Sequence, residues 1–582
     1  MSQRRLETPG LPETEQLAPP APAPVTAGIS VSLEAVLWVA VLAAGFALRL
    51  ARLDHLPLTL GEASRAFEAW RVSNGSVPDG WSGDLTSALT SHLFRVFPDG
   101  EITARIIPAI AGSATLLLVW PLRRYLGAGA AFLAVAYLAF SPLAVQASRS
   151  VGPFSAGILL SLALLTLLLA YLERPRPALA GGLGLLAGLA AGSDPVSVTA
   201  LLAGALFLVL EAAWWRNPQV YEARDALLSR PGQWLPAIVA FVAAIVLSIS
   251  HFGTHVERLS LPGLRLWTEM FNLPHDSWPG YYDFGLLAGY ELPALGFGTA
   301  AVFVLLRQLR RGPALSPLQR LLLVWTALAA LLLALSSRRE SGQILILLVP
   351  LVLLTATWLQ ELLDGLDWRV LIRWWPAVIL ELALLTYAAI ELALWARPGG
   401  DLGAAEKLSL VAALTIAGAL PLLLVIYFGR HLATVGLVTA ALVGLSLMLT
   451  SAFALAFSHG SDFARDSNPQ AGIAQLHDRL AQLSTERQSA ATLEPELARQ
   501  IGWYLRDLPL LSGSPPPDSG IYVTPAQAAP QGVPGFPTLD GTYRVVDIWY
   551  PESLKGQSLW RWFAYRQSFG ALTPVRVQVY LR

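Results

Sequence analysis

Ionisable side chains are scarce in this sequence, and the few that stand where apolar stretches begin or end are the ones able to do chemistry. Arg338 and Arg339, followed by Glu340, separate two apolar blocks. Guanidinium groups so placed can grip a lipid phosphate, or can extend toward lipid headgroups as long basic side chains do. Arg105 and Arg149 stand at the ends of other blocks. Each can hold a phosphate or pair with a carboxylate. Asp54 and Glu62 follow the first block: Asp54, close to Arg52, also reads as half of a surface ion pair, and Glu62 as a favourable charge at a helix N-terminus. Other chemistries are missing. There is no cysteine, so no thiol nucleophile or thiolate metal site is available. His92, His251, His255 and His275 show no ligand spacing, and no glycine-rich phosphate loop, zinc pattern or Ser-His-Asp arrangement is present.

The elements that must position these residues are membrane helices. Hydrophobic residues make up 54% and charged residues 14%, too little charge to cover a soluble protein of this length. The apolar residues fall into blocks of roughly 17–25, the length that crosses a hydrocarbon core. The blocks lack period-two alternation, which selects helices over barrel strands. Thirteen spans are predicted: 31–50, 103–121, 128–145, 154–171, 178–192, 196–214, 235–252, 286–306, 319–336, 343–359, 375–395, 408–428 and 432–457. The span at 178–192 is short and Gly-rich. Residues 1–30, Pro/Ala-rich and polar, read as a disordered tail.

Arginine sets the expected orientation. Alternate short loops carry it repeatedly, as at Arg123 and Arg124, Arg174 and Arg176, and Arg310 and Arg311. The opposite short loops hold little beyond Arg149, Arg338, Arg339 and Arg397. Positive charge stays cytoplasmic, so the N-terminus is expected inside. Loops 51–102 and 253–285 and everything from 458 to 582 are then expected outside. Positive charge at Arg338 and Arg339 is on the disfavoured side and asks for a reason. In the first outer loop Glu62–Val72 reads as an amphipathic helix with Ala63, Ala66, Phe67 and Trp70 on one face, of the kind that lies in the membrane interface. The second is rich in Trp and Tyr, including Trp278, Tyr281 and Tyr282; these suit an interfacial belt or the wall of a substrate cavity. Residues 458–582 read as a small α/β domain. A helix is expected to start at Asn468-Pro469 and a second to cover 495–505, with strands at 520–524, 542–549 and 574–581. The membrane domain is therefore 31–457. Zero formal net charge gives no hint of a nucleic-acid partner.

A family resemblance emerges on this topology. Arg49-Leu50-Ala51-Arg52-Leu53-Asp54-His55-Leu56-Pro57-Leu58 runs into Gly61-Glu62-Ala63. Then come Arg105-Ile106-Ile107-Pro108-Ala109-Ile110-Ala111-Gly112, Ser141-Pro142 and Ser148-Arg149. The series resembles GT-C membrane glycosyltransferases of the protein O-mannosyltransferase type. Trp278-Pro279-Gly280-Tyr281-Tyr282 with Tyr290-Glu291, then Asn468-Pro469, then Trp503-Tyr504-Leu505-Arg506 are similar to the prokaryotic flippase-activity-associated branch.

The resemblance implies a GT-C-like fold and inverting transfer of a sugar from a polyprenyl-phosphate donor to an acceptor on the outer face. Glu62 would be the base that takes the acceptor's proton, with Asp54 as the weaker candidate. Arg338, Arg339, Arg149 and Arg105 would hold the donor phosphate. The partners implied are membrane lipid and the polyprenyl-phosphate carrier. The lipid-linked donor is a substrate, and no cofactor or divalent metal is expected. Three positions depart from the pattern: Gly61 stands where relatives have Asp, no acid follows Arg149 in 150–154, and the His-Gly-Pro element of the first loop is missing from 82–92. The alternatives are a catalytically inactive relative serving as partner or lipid-handling subunit in surface-glycan assembly, and a solute transporter. Against the transporter, the chain shows no repeated halves with paired interrupted helices.

Overall fold

Lipid offers the backbone no hydrogen-bonding partner, and in the computed structural model every one of the thirteen apolar stretches is helical. The structure describes residues 32–77, 81, 83–253, 261–272, 281–311, 315–365, 368–397, 403–428, 433–458, 462, 464–465, 467–514, 520–526, 533–549, 557–566 and 572–582. Helix α1 (Leu33–Leu50) leads into two short helices of the first loop, α2 (Leu60–Ser73) and α3 (Leu85–Phe94). Next come α4 (Glu101–Leu126), α5 (Ala128–Phe140), α6 (Pro142–Arg149), α7 (Phe154–Glu173), α8 (Pro177–Ser193) and α9 (Pro195–Ala213). A connector, α10 (Pro218–Ser229), precedes α11 (Pro231–Ile249). The second loop holds α12 (Pro262–Glu269) and α13 (Tyr282–Tyr290). Then follow α14 (Leu292–Arg311), α15 (Pro317–Leu335), α16 (Leu345–Asp364), the short α17 (Trp368–Arg373), α18 (Trp375–Trp395), α19 (Ala404–Phe428) and α20 (Ala433–Phe457). Among the described residues ten helices are long and apolar enough to cross a membrane, or eleven with the bent pair α5–α6.

Three predicted spans turn out differently in detail, and one of them, 286–306, divides at Glu291 between α13 and α14. The stretch 128–145 is broken, with α5 and α6 meeting at 56°. Pro142 opens α6 and Ser141 caps it, because the proline has no N–H to continue the preceding turn. The Glu291 carboxylate fills the break, accepting from Ser141 Oγ at 2.6 Å, Tyr137 Oη at 2.9 Å and the Leu143 N–H at 3.0 Å. The Gly-rich stretch is one continuous helix, α8, set unusually close to α11. A Cβ at Gly184 would lie 2.1 Å from the Ala237 carbonyl oxygen, one at Gly188 2.5 Å from Ala244 Cβ and one at Gly192 2.1 Å from Ser248 Oγ. Small residues at such spacing let two backbones approach where no hydrophobic force drives helices together.

The C-terminal region forms a six-stranded sheet in the order β1-β5-β6-β4-β2-β3. The strands are β1 (Ser467–Pro469), β2 (Ala491–Leu493), β3 (Leu510–Ser512), β4 (Ile521–Pro525), β5 (Thr538–Ile548) and β6 (Thr573–Leu581). Strands β1, β5, β6 and β4 pair antiparallel, while β2 runs parallel to β3 and β4. Helices α21 (Gly472–Arg487) and α22 (Pro495–Ile501) pack on the sheet, α21 supplying its core with Ile473, Leu476, Leu480 and Leu483. A further helix, α23 (Gln557–Tyr565), lies between β5 and β6 in sequence. Asn468-Pro469 does not start a helix. It lies on edge strand β1, where a proline's missing donor costs no ladder bond inside the sheet.

The amphipathic helix of the first loop does not float in the interface. Ala63, Ala66, Ala69 and Val72 of α2 are buried in a cluster with Phe94, Ala104, Val151 and Trp503. The helix is thus held between the membrane helices and the C-terminal domain, on whose side both extramembrane loops lie. Tyr504 Oη donates to the Leu58 carbonyl at 2.6 Å, the Leu60 N–H donates to Ser467 Oγ at 3.0 Å, and Arg506 reaches Asp99.

Close packing of α8 on α11 predicts opposite outcomes for two Gly→Ala substitutions. Gly184→Ala must push the helix backbones apart and should cost about 1–3 kcal/mol. Gly61→Ala, at a helical position with nothing within 4 Å of the new methyl, should be neutral or stabilising by roughly 0.5–1 kcal/mol. Thermal unfolding of detergent-solubilised protein reads both.

Candidate functional site

Two adjoining cavities open where α2, the start of α7, the α15–α16 connection and the C-terminal region meet. The first, of about 970 Å3, is bounded by Gly61, Glu62 and Arg65 of α2, Tyr282, Arg339, Glu340 and Arg465. The second, of about 1160 Å3, shares Gly61, Arg65, Phe154 and Glu340 with it. It adds Glu68, Asp84, Arg265, Glu269, Arg338 and Arg499. Arg–carboxylate pairs stand on these walls, among them Arg65 with Glu340 at 2.9 Å, Arg265 with Glu269 at 2.8 Å, and Arg339 with Asp283.

Glu62 touches the first cavity, but its carboxylate is fully committed elsewhere. Arg105 Nε and Nη2 bind its two oxygens, each at 3.0 Å. The backbone N–H groups of Thr59 and Val151 add 2.9 and 3.1 Å bonds. Glu62 is 5% exposed. Burial by itself would push its carboxyl up, but the Arg105 guanidinium and the two backbone donors outweigh it and hold the group below the usual carboxylate range. A carboxylate with two acceptor bonds on each oxygen and a depressed pKa is a poor proton acceptor. Expected as the base, Glu62 instead starts α2 through a reciprocal capping box with Thr59 and anchors Arg105. Thr59-Leu60-Gly61-Glu62 has the capping-box spacing, a signal already in the sequence.

The arginines separate into two groups. Arg105 also donates to the carbonyls of Leu53, Leu56 and Pro57, so all five of its N–H donors are used. Arg149 donates to the carbonyls of Leu48, Ala51 and Arg52 at 2.8–3.0 Å, closing the end of α1, and stands over the Phe457 ring. Neither offers its face to the cavities. Expected as phosphate ligands, both are tied to backbone carbonyls that a helix end leaves unpaired. Arg338 and Arg339 do reach the cavities. Arg338 is half exposed and only loosely paired, 3.4 Å from Glu269 and 3.9 Å from Glu340. Arg339 is more buried and bound to Asp283.

Of the remaining expected residues, Tyr282 is buried and lines the first cavity, while Tyr281 is exposed and outside both linings. Trp278, like His255 and His275, lies outside the described residues. Asp54 sits on an exposed turn after α1, away from the cavities. Among the described residues no three His, Asp or Glu side chains cluster in a way that could hold a metal ion. Sequence reasoning missed Arg65, Glu68, Arg265, Arg465 and Arg499. Gly61, Arg65 and Glu68 recur at helical spacing on the face of α2 opposite its buried alanines, a polar stripe that could have identified the first two.

The buried pair predicts a strong stability effect. Glu62→Gln or Arg105→Ala should destabilise the protein by about 3–5 kcal/mol, because either leaves an uncompensated group in a dry site. Asp54→Asn, on the exposed turn, should leave the melting temperature unchanged. Thermal unfolding of the three variants side by side checks this.

Residues 85–229, from α3 to α10, match the model of the dolichyl-phosphate-mannose-protein mannosyltransferase family. That stretch contains Arg105 and Arg149 and neither Glu62 nor Glu68. No curated protein is significantly similar to the chain in sequence. Among solved structures, ArnT from Cupriavidus metallidurans bound to undecaprenyl phosphate is similar with a TM-score of 0.52 and 18% identity, over 88% of this chain and 97% of that one. The same protein in its apo state gives a TM-score of 0.54 and 16% identity over the same shares. In architecture, then, with its membrane helices, structured first loop and appended sheet domain, this chain has a GT-C-like fold.

Proposed function

We propose that this chain transfers a sugar from a polyprenyl-phosphate donor to an acceptor on the outer face of the membrane, with inversion at the anomeric carbon. The observation that carries the reading is Arg338, a half-exposed guanidinium on the wall of a cavity that also holds Arg65, Arg265 and Arg499. Its present carboxylate contacts are long, so a phosphate can replace them. Charge builds on the phosphate oxygen as the sugar leaves, and guanidinium groups placed beside it stabilise that charge. The similar ArnT structure that holds undecaprenyl phosphate supports this class of carrier. The stretches at 278–291, 468–469 and 503–506 support the finer proposal of the flippase-activity-associated branch.

A second reading, an inactive relative that binds the carrier in surface-glycan assembly, is favoured by Gly61. The position where the family pattern expects Asp lies on the walls of both cavities and carries no side chain. Carrier binding is common to both readings; turnover separates them.

Two measurements test the proposal. Arg338→Ala should weaken binding of undecaprenyl phosphate about 10- to 100-fold, the equivalent of about 1.5–3 kcal/mol for a charge-assisted contact. Unchanged binding would return Arg338 to a headgroup-facing role. The orientation inferred from the arginine asymmetry expects a reporter fused after Arg582 to be active outside the cytoplasm and one fused at Arg310 inside. A cytoplasmic C-terminus would place the cavities on the wrong face.

A further inference from the structure

Five acidic residues line the two cavities, and four are engaged. Glu62 is held by Arg105, Glu340 by Arg65, and Glu269 by Arg265 and Arg338; Asp84 caps α3 through the Ser87 N–H and hydroxyl. Among the described residues Glu68 alone of these five makes no hydrogen bond or ion pair. It also occupies a junction. Besides the arginine-rich cavity it borders a third, of about 860 Å3, between α2 and the C-terminal domain. Phe67 and Arg71 form one side of that cleft, and Ala498, Arg499 and Ser512 the other. The cleft shares Glu68 and Arg499 with the cavity that Arg338 lines.

We propose that Glu68 is the proton acceptor of the transfer reaction, taking the proton of an acceptor hydroxyl that enters through the cleft between α2 and the C-terminal domain. The assignment rests on the glycosyltransferase reading above. The acceptor oxygen forms a bond to the anomeric carbon as the bond from that carbon to the phosphate oxygen breaks. The electron pair leaves with polyprenyl phosphate, whose added negative charge the cavity arginines meet. The hydroxyl proton passes to the Glu68 carboxylate and from there to solvent. One carboxylate suffices, because an inverting displacement needs a single proton acceptor.

The surroundings of Glu68 suit the task. Burial pushes its carboxyl up to about 7, against the pull of Arg65, Arg499 and Arg71 and with the repulsion of Asp84. A carboxylate with such a pKa is a far better base than one held below the usual range, and it is half ionised near neutral pH. Its placement also accounts for tolerance of Gly61. Glu68 lies on the same face of α2, two turns or about 10 Å further along, so the face keeps one carboxylate when position 61 has none.

The test uses full-length protein in nanodiscs, polyprenyl-phosphate-linked mannose, glucose or galactose as donor, and water as the surrogate acceptor, with released sugar as readout. Below its pKa Glu68 is protonated, so wild-type turnover should rise about tenfold per pH unit and level off above about 7. Glu68→Gln should lower the plateau rate at least 100-fold and remove this pH dependence, while undecaprenyl phosphate binding and melting temperature stay as in wild type. Glu68→Asp should recover a fraction of the rate and the sloping profile, which a purely structural role would not produce. If Glu68→Gln retains the wild-type rate and profile, the assignment is overturned while the glycosyltransferase reading stands. If wild type binds the carrier but releases sugar from none of the donors, the glycosyltransferase reading is overturned, and the assignment with it.

Discussion

The guanidinium of Arg105 and the carboxylate of Glu62 meet in a nearly dry pocket, and the geometry of the first loop is built on that contact. Arg105 sits near the start of α4 and gathers the carbonyls of Leu53, Leu56 and Pro57 around itself. With Glu62 it also sets where α2 begins. Moving either group would leave backbone carbonyls and a charge without partners in low dielectric, which explains why the loop has one shape. An apolar pair of equal volume could be as stable, but it would not order three carbonyls of a turn. The C-terminal domain docks on the loop so formed, with Tyr504 on the Leu58 carbonyl and Trp503 against Phe94. The face of α2 that borders the cavities is therefore a downstream result of one ion pair.

The same logic separates the arginines on this side of the membrane. A helix ends with carbonyl groups that have no partner within the helix, and near lipid water is not freely available to supply one. Arg49 donates to carbonyls of Gly45, Leu138 and Ala139; Arg149 serves the end of α1; Arg465 serves Leu455 and Ser458 at the end of α20. One guanidinium closes two or three carbonyls at once, which suits arginine better than lysine. The arginines of the second cavity chiefly face carboxylates, Arg65 also donating a long bond to the Val151 carbonyl. Ion pairs of that kind can exchange partners with an anionic ligand, whereas carbonyl caps cannot be released without opening a helix end. The distinction decides which cations are available to an anionic ligand.

The cavities themselves are electrically mixed, with four arginines and four acids around the second. Such a lining does not concentrate anions by net charge. It places cations individually, with Arg338 and Arg499 the least constrained. Gly61 borders both cavities, with nothing within 4 Å of where a Cβ would stand, at the level where the family pattern has a carboxylate. The C-terminal domain contributes Arg499 and Ser512 to the cleft beside α2, so it forms a wall of the site besides packing against the loop.

Length and hydropathy alone determined the membrane helices, because a bilayer imposes one solution on a long apolar block. The alternating apolar residues of β6 and the Leu stripe of α21 were as legible, since each follows a period set by its own backbone. Short-range chemistry was legible only to a degree: a capping box marks Thr59 and Glu62, and Ser141-Pro142 marks the start of α6, yet neither motif says that α5 and α6 bend by 56°. The three-residue strands β1, β2 and β3 were not legible, because pairing and not periodicity makes them strands. The same limit governs the site. Arg105, Arg149 and Arg338 are alike in sequence, each a cation at the edge of an apolar block. What they do depends on which carbonyls and carboxylates the fold brings within 3–4 Å. Apart from Glu340 beside Arg338, those partners lie tens to a hundred residues away, and the fall of hydrogen bonding and ion pairing over a few ångströms leaves the choice between cap and ligand to tertiary structure.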